Sequence, residues 1–435
     1  MPLDISVEIE EEFYNYDPAD NGAGPLWCHG STIVARHRDA VYLAALETLP
    51  EQQPLNNSRF LLYRRNENGW HLVYRDETGR TREPSPVVLL DGTLLVSANP
   101  TLTAPGEYGG PAEPTVFRFD ADDPAAPPIR EQPQWQGEPA FTEHSYRTVV
   151  GDGMEVLYMQ NTGYETAQMS FRDEAGQWYG LDPLTWPWGG EYEPPQPLRL
   201  CYPNVALQER SANFIGVGDI VEPVTAWRDA KLEITGREWD YVFRRLFYAY
   251  TPDVTAQPFG EWIEIANHDQ TAGHIRNGDL HLDADGLVHI LWTESNLDHR
   301  LRDRFFPDQQ IDHTLEYLTL REGQILTRRT LVHAVESESE PIPILARFHI
   351  LTDGTPIILG QFSDFGPDPI YRCALLSSDP PEWVDIPFSH PMPDTFLTNT
   401  VRAGSSPSPL IDIVGMRPDL LNTLGYAWVR IEVRV

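Results

Sequence analysis

Between Glu143 and Arg147 the chain reads EHSYR. On an extended strand, side chains two residues apart point the same way. His144 and Tyr146 therefore share one face and Arg147 takes the other. An imidazole and a phenol side by side are a general acid–base pair. A guanidinium that neutralises a carboxylate makes the proton beside it more acidic. Together these are the groups needed to remove the C5 proton of a uronate and release its O4 substituent. Arg147 points away from the pair and is expected to bind substrate from the side of the neighbouring unit, so the carboxylate clamp is expected from another segment. Arg276 in GHIRNGD leads, with Arg347 behind it.

Similar residues recur where other apolar-alternating segments begin: His29, His274, Asn277, His349 and Arg402, and Asn213 in SANFIGVGD. Two longer loops add Trp239 and Tyr241, and Arg300 with Arg302 and Arg304. Tyr and Trp rings stack on the apolar faces of sugars, and Arg grips a carboxylate or sulfate bidentately. All of these are expected to bind substrate. The plainer use of any one of them is to pair with an acid and tie neighbouring units together. As a set around one axis they repel each other unless an anion binds there.

Two other chemistries stay open. A glycosidase needs two carboxylates across the scissile bond, and the segment starts offer few, Glu143 and Asp279 being the best. A sialidase-like site needs three arginines, a Tyr–Glu pair and an Asp. Its repeated S-x-D-x-G-x-x-W turn is absent, and DADGLVHILW only approaches it. A propeller that binds glycans without cleaving them is the third reading.

What would hold such residues together is a repeat. Segments starting near 29, 84, 144, 211, 274, 346 and 398 share one grammar. A strand of a few residues meets a corner of Asp-Gly, Gly-Asp or Arg-Asp, which tolerate positive φ. A second strand follows, then a loop, a third strand and often a fourth. Repeated seven times, this is an all-β, seven-bladed propeller of four-stranded antiparallel blades. The last unit ends one strand short at LGYAWVRIEVRV, and LDISVEIEEEF at the N-terminus alternates like a strand. Residues near Ile5–Ile9 are expected to pair with Ala427–Val433 and close the ring. No linker or helical block interrupts residues 1–435, so one domain is expected; two β-sandwiches are the rival.

Composition agrees. The 435 residues are 41% hydrophobic and 11% aromatic, with 39 prolines. Acids outnumber bases 65 to 32, a net charge of −33, which disfavours nucleic acid and anionic membrane as partners. Lys231 is the sole lysine. Three cysteines, Cys28, Cys201 and Cys373, give no disulfide framework and no metal pair, and suit core thiols. No signal-peptide pattern and no membrane-length apolar run is visible. A soluble monomer is expected, cytoplasmic as written, or secreted or periplasmic if a leader was removed. No cofactor is required; the Asp-rich corner Asp120–Asp123 could hold a structural calcium.

On HSYRTVVGDGMEVLYMQ, GHIRNGDLHLDADGLVHILW and the seven-unit layout, the chain resembles the BNR-repeat-like propeller family that includes ulvan lyases, rhamnose–glucuronate lyases and α-L-rhamnosidases. The resemblance implies a polysaccharide lyase acting on an acidic oligo- or polysaccharide. His144 and Tyr146 would then be the acid–base pair and Arg276 the charge neutraliser, with His29, His274 and Arg347 supporting them. Those relatives are secreted, a point on which this N-terminus departs.

Overall fold

The computed structural model describes residues 3–336, 340–364, 366–418 and 424–435. Seven four-stranded antiparallel sheets are arranged as blades. Their inner strands are Val34–His37, Val87–Leu90, Arg147–Asp152, Leu200–Gln208, Ala272–Leu282, Ile342–Ile350 and Leu397–Thr398, numbered here as blades 1 to 7. Each inner strand neighbours the next in order, and blade 7 returns to blade 1, so the ring is closed.

Closure follows the expectation from the termini. Strand Asp4–Tyr16 pairs antiparallel with Leu424–Arg434, with Ile5 opposite Val433 and Glu12 opposite Ala427. Without it, blade 7 would present an unpaired edge. Apolar side chains pack between blades, so each sheet buries both faces only with its neighbours. Cys28, Cys201 and Cys373 are free and buried in this packing. No helix among the described residues is long and apolar enough to cross a membrane.

One unit is phased differently from expectation. The inner strand of blade 4 is Leu200–Gln208, and Ser211–Gly218 is its second strand. The corner between them is Glu209–Arg210, both non-glycine residues at positive φ. With no Asp-Gly signal at that corner, the Gly-Asp at 218–219 was the stronger sequence cue. Asn213 thus sits in mid-sheet, where its Oδ1 accepts from the Tyr248 hydroxyl at 2.6 Å. It starts no strand and faces no site.

The Asp-rich corner also has internal uses. Asp120 Oδ1 accepts the amides of Asp122 and Asp123, and Asp122 pairs with His37 and Arg38. Among the described residues no group of three or more His, Cys, Asp or Glu is placed to hold a metal ion.

Candidate functional site

Three consecutive inner strands are broken by β-bulges, near the start in blades 4 and 6 and midway in blade 5. These lie between Cys201 and Asn204, Asn277 and Asp279, and Pro343 and Leu345. A bulge re-aims the side chains around it. In blade 4 it holds Tyr202 at φ 51. The Tyr202 carbonyl accepts from Asn277 Nδ2 at 2.5 Å. Gly30 lies against the same carbonyl, and a Cβ there would stand 2.1 Å from the oxygen. Only glycine lets this segment come so close. The approach stacks His29 on Tyr202, with ring centroids 4.0 Å apart and planes 23° apart.

Among these strand starts opens a cavity of about 580 Å³, lined by Trp27, His29, Tyr202, Phe243, His274, Arg276, Asn277 and Asp394, among others. His274 and Arg276 are two apart on one strand and both reach it. Trp27 Nε1, His29 Nδ1 and Asn277 Oδ1 are buried polar atoms with no partner. Buried groups of this kind are normally paired, so the wall offers unused donors and acceptors.

The charges are arranged with equal selectivity. Burial lowers the Arg276 pKa, and Tyr202 and Asp394 partly oppose that. Its guanidinium donates to the Thr395 hydroxyl. No carboxylate of the described residues lies within ion-pair distance of it. Burial, reinforced by Arg276, lowers His274 to about 4, although its ring opens to solvent in the cavity. Burial, then Arg276 and Arg347, hold His29 well below the usual imidazole range. Burial raises the Tyr202 phenol. At neutral pH the wall thus carries two neutral imidazoles, a neutral phenol and a guanidinium, with the Asp394 side chain on the same wall.

The structure gathers His29, His274, Arg276 and Asn277 here, and places the other expected residues elsewhere. His144 belongs to an adjoining cluster. Its Nδ1 faces the Arg82 guanidinium, which can only donate, so the ring proton is on Nε2. Burial and Arg82 lower His144 to about 3. Tyr146 is buried between His144, Trp27 and Tyr202, 5.2 Å from the His144 ring centre, and is not on the cavity wall. Arg147 donates to Ser145 and to the Pro84 carbonyl beside blade 2, away from Tyr146.

Arg347 is fully enclosed and donates to the carbonyls of Gly278, His29 and Phe396. Burial lowers it to about 9. Arg402 pairs with Asp279 at 3.0 Å. His349 meets the Ser408 carbonyl at 2.7 Å. These three tie the blades together near the axis. The loop arginines are likewise matched: Arg300 with Asp240 and Asp298, Arg302 with Asp303 and Glu336, Arg304 with Glu233. Each arginine expected to bind substrate from that loop is therefore matched by a carboxylate. Trp239 is 70% exposed and Tyr241 37% exposed.

Sequence reasoning passed over Trp27, Tyr202, Phe243 and Asp394. Tyr202 was hidden by the phasing of blade 4; reading LRLCYPNVALQ as the inner strand would have exposed it. Trp27 and Asp394 lie in irregular segments before blades 1 and 7 and carry no periodic signal.

No family model matches the chain, and no curated protein matches it in sequence. Solved structures do match in shape. A polysaccharide lyase, an ulvan lyase solved with -[GlcA(1-4)Rha3S]- bound, aligns over 94% of this chain and 94% of its own, with a TM-score of 0.55 at 9% identity. The BP39L lectin of Burkholderia pseudomallei aligns over 92% of this chain and 96% of its own, with a TM-score of 0.50 at 10% identity. At these identities the likeness is one of fold, and the two proteins use that fold for an enzyme and for a lectin.

Proposed function

We propose that the protein is a carbohydrate-active enzyme that cleaves a uronate-containing glycan by β-elimination. Arg276 binds the C5 carboxylate and stabilises the charge that grows on it as the C5 proton leaves. His274, neutral and two residues away, takes that proton. The C5–H electrons form the C4–C5 double bond as the C4–O4 bond breaks. The departing oxygen receives a proton from the Tyr202 hydroxyl, whose phenol burial keeps protonated. His29, stacked on Tyr202, holds that ring in place. This reading moves the acid–base work from His144 and Tyr146 to residues on the cavity wall.

The observation that carries the proposal is Arg276, a partly buried guanidinium on a cavity wall with no carboxylate within ion-pair distance among the described residues. Leaving such a charge unpaired is costly, and an anionic substrate resolves that cost. Asp394 is the one carboxylate among the lining residues, and a two-carboxylate glycosidase needs a second. The shape shared with a lyase agrees with the proposal.

Incubation with glucuronate-containing polysaccharides, followed by ultraviolet absorbance, tests it. The expected product is an unsaturated uronate, lost in Arg276→Ala and His274→Ala. New reducing ends without unsaturation would make the protein a hydrolase. Binding without any product would make it a lectin-like propeller.

A further inference from the structure

Three segments that build the cavity wall leave it at neighbouring points. His29 stands on the wall, Gly278 follows Asn277, and Phe396 follows Thr395. At each of these points the backbone carbonyl accepts from one side chain, Arg347, which lies behind the wall and is 2% exposed. Its Nη1 reaches Gly278 at 2.6 Å, and its Nη2 reaches His29 at 2.7 Å and Phe396 at 3.3 Å. Its Nε adds a second contact to Phe396 at 3.4 Å. The three segments belong to blade 5, to the run before blade 1 and to the run before blade 7, so the local chain does not set their spacing.

Each segment brings a different part of the chemistry. The blade 5 strand carries His274 and Arg276. The run ending at Phe396 carries Asp394 and Thr395, whose hydroxyl accepts from Arg276. His29 stacks on Tyr202. The backbones are close: a Cβ on Gly278 would stand 2.8 Å from the Ala346 carbonyl, and the Phe348 amide donates to Asp279 at 3.1 Å. Asp279, already paired with Arg402, partly offsets the burial of the Arg347 charge. A planar guanidinium holds its donors in a fixed fork and can serve three carbonyls at once. A lysine buried there would shed its proton and keep two donors for three carbonyls.

His349 gives the contrast. It lies two residues further along the same strand, on the same face, and its hydrogen bond goes to the Ser408 carbonyl, away from the cavity wall. His349 ties blades; Arg347 ties the parts of one site. We infer that Arg347 is a positioning residue, which sets the carboxylate clamp, the base and the proton donor in register with one another and does not touch the substrate. The inference rests on the reading of the cavity as the site of uronate cleavage.

The test compares Arg347→Lys and Arg347→Gln with His349→Asn, each with a melting curve and with rates normalised to the folded fraction. In both Arg347 variants kcat for unsaturated product is expected to fall ~10²-fold, the cost of a misplacement of about 1 Å. Affinity for a glucuronate-containing tetrasaccharide is titrated calorimetrically in a His274→Asn background, which suppresses cleavage. It should fall by about tenfold, the equivalent of one weakened contact. His349→Asn should lower the melting temperature and leave kcat and affinity at their unaltered values. Arg347→Gln supplies the reading if the lysine variant does not fold. Arg347 variants that melt lower but keep kcat and affinity overturn the inference and leave the residue a blade tie. Lost affinity with kcat unchanged overturns it too, because that is the mark of binding alone. Product from the unaltered protein, with both quantities kept in the variants, leaves the lyase reading standing and removes the positioning role. If the unaltered protein forms no unsaturated product, the lyase reading falls, and the affinity loss alone decides whether Arg347 positions the clamp.

Discussion

Two His–Arg clusters lie side by side at the strand starts, and they are built from nearly the same residue types. Around His144 the cations have partners. Glu83 lies 3.4 Å from Arg82 and 3.7 Å from His144, and Ser145 donates to it twice. Arg199 pairs with Asp219. Around His274 the corresponding cation, Arg276, donates to a hydroxyl and feels Asp394 on the same wall, but no carboxylate of the described residues lies within ion-pair distance of it. In the first cluster the charges are matched, and its pairs hold blades together. The second is left incomplete beside a cavity. Residue type does not separate the two clusters; the presence of a counter-charge does.

The widest separation between the two is expected in turnover. His274→Ala should lower it by ~10²–10⁴-fold, the usual loss of a general base. His144→Ala should leave the specific activity close to normal. Initial rates of unsaturated-product formation check both, and the reverse order would return the catalysis to the EHSYR segment. Arg276→Ala should follow, at ~10²–10³-fold in kcat. Its melting temperature should hold or rise, because a desolvated, unmatched charge has been removed.

The closed cluster should fail in stability. Glu83 has no exposure. Glu83→Ala strands the cations around it and should cost ~3–5 kcal/mol, read by denaturant unfolding. His144→Ala removes one acceptor from Arg82 and should cost ~1–3 kcal/mol. If Glu83→Ala melts like the unaltered protein, the cluster is not the blade tie described here.

The smallest effect is in pH. The His274 pKa falls from an ordinary 6.5 to about 4 on folding. The unfolded chain therefore takes up that proton first as pH drops. The contribution is full above 6.5, declines as pH falls towards 4, and changes no further below that. Burial raises Glu83 to about 7 in the folded state. It acts oppositely, favouring the fold as pH falls from 7 towards the ordinary 4.5. Melting curves of His274→Ala and Glu83→Gln across this range should change slope in opposite senses. In turnover, the acid limb of kcat/KM should fall near 4 rather than near 6.5 if His274 is the base. A limb near 6.5 would point to a less buried imidazole.

By itself the sequence determined the seven-bladed ring, its closure by the N-terminal strand, the buried thiols, and the placing of His274 and Arg276 two apart on one inner strand. These are readable because strand alternation and turn chemistry act between residues a few positions apart. The tertiary structure decided the rest. It phased blade 4 through a corner of non-glycine residues, which brought Tyr202 to the cavity and left Asn213 in mid-sheet. It brought Trp27 and Asp394 in from irregular segments. Above all it chose which arginines met a carboxylate: Arg402 found Asp279, 123 residues away, while Arg276 found none. Ion pairing depends on distance in space, and the closing of the ring sets that distance only after every blade is in place.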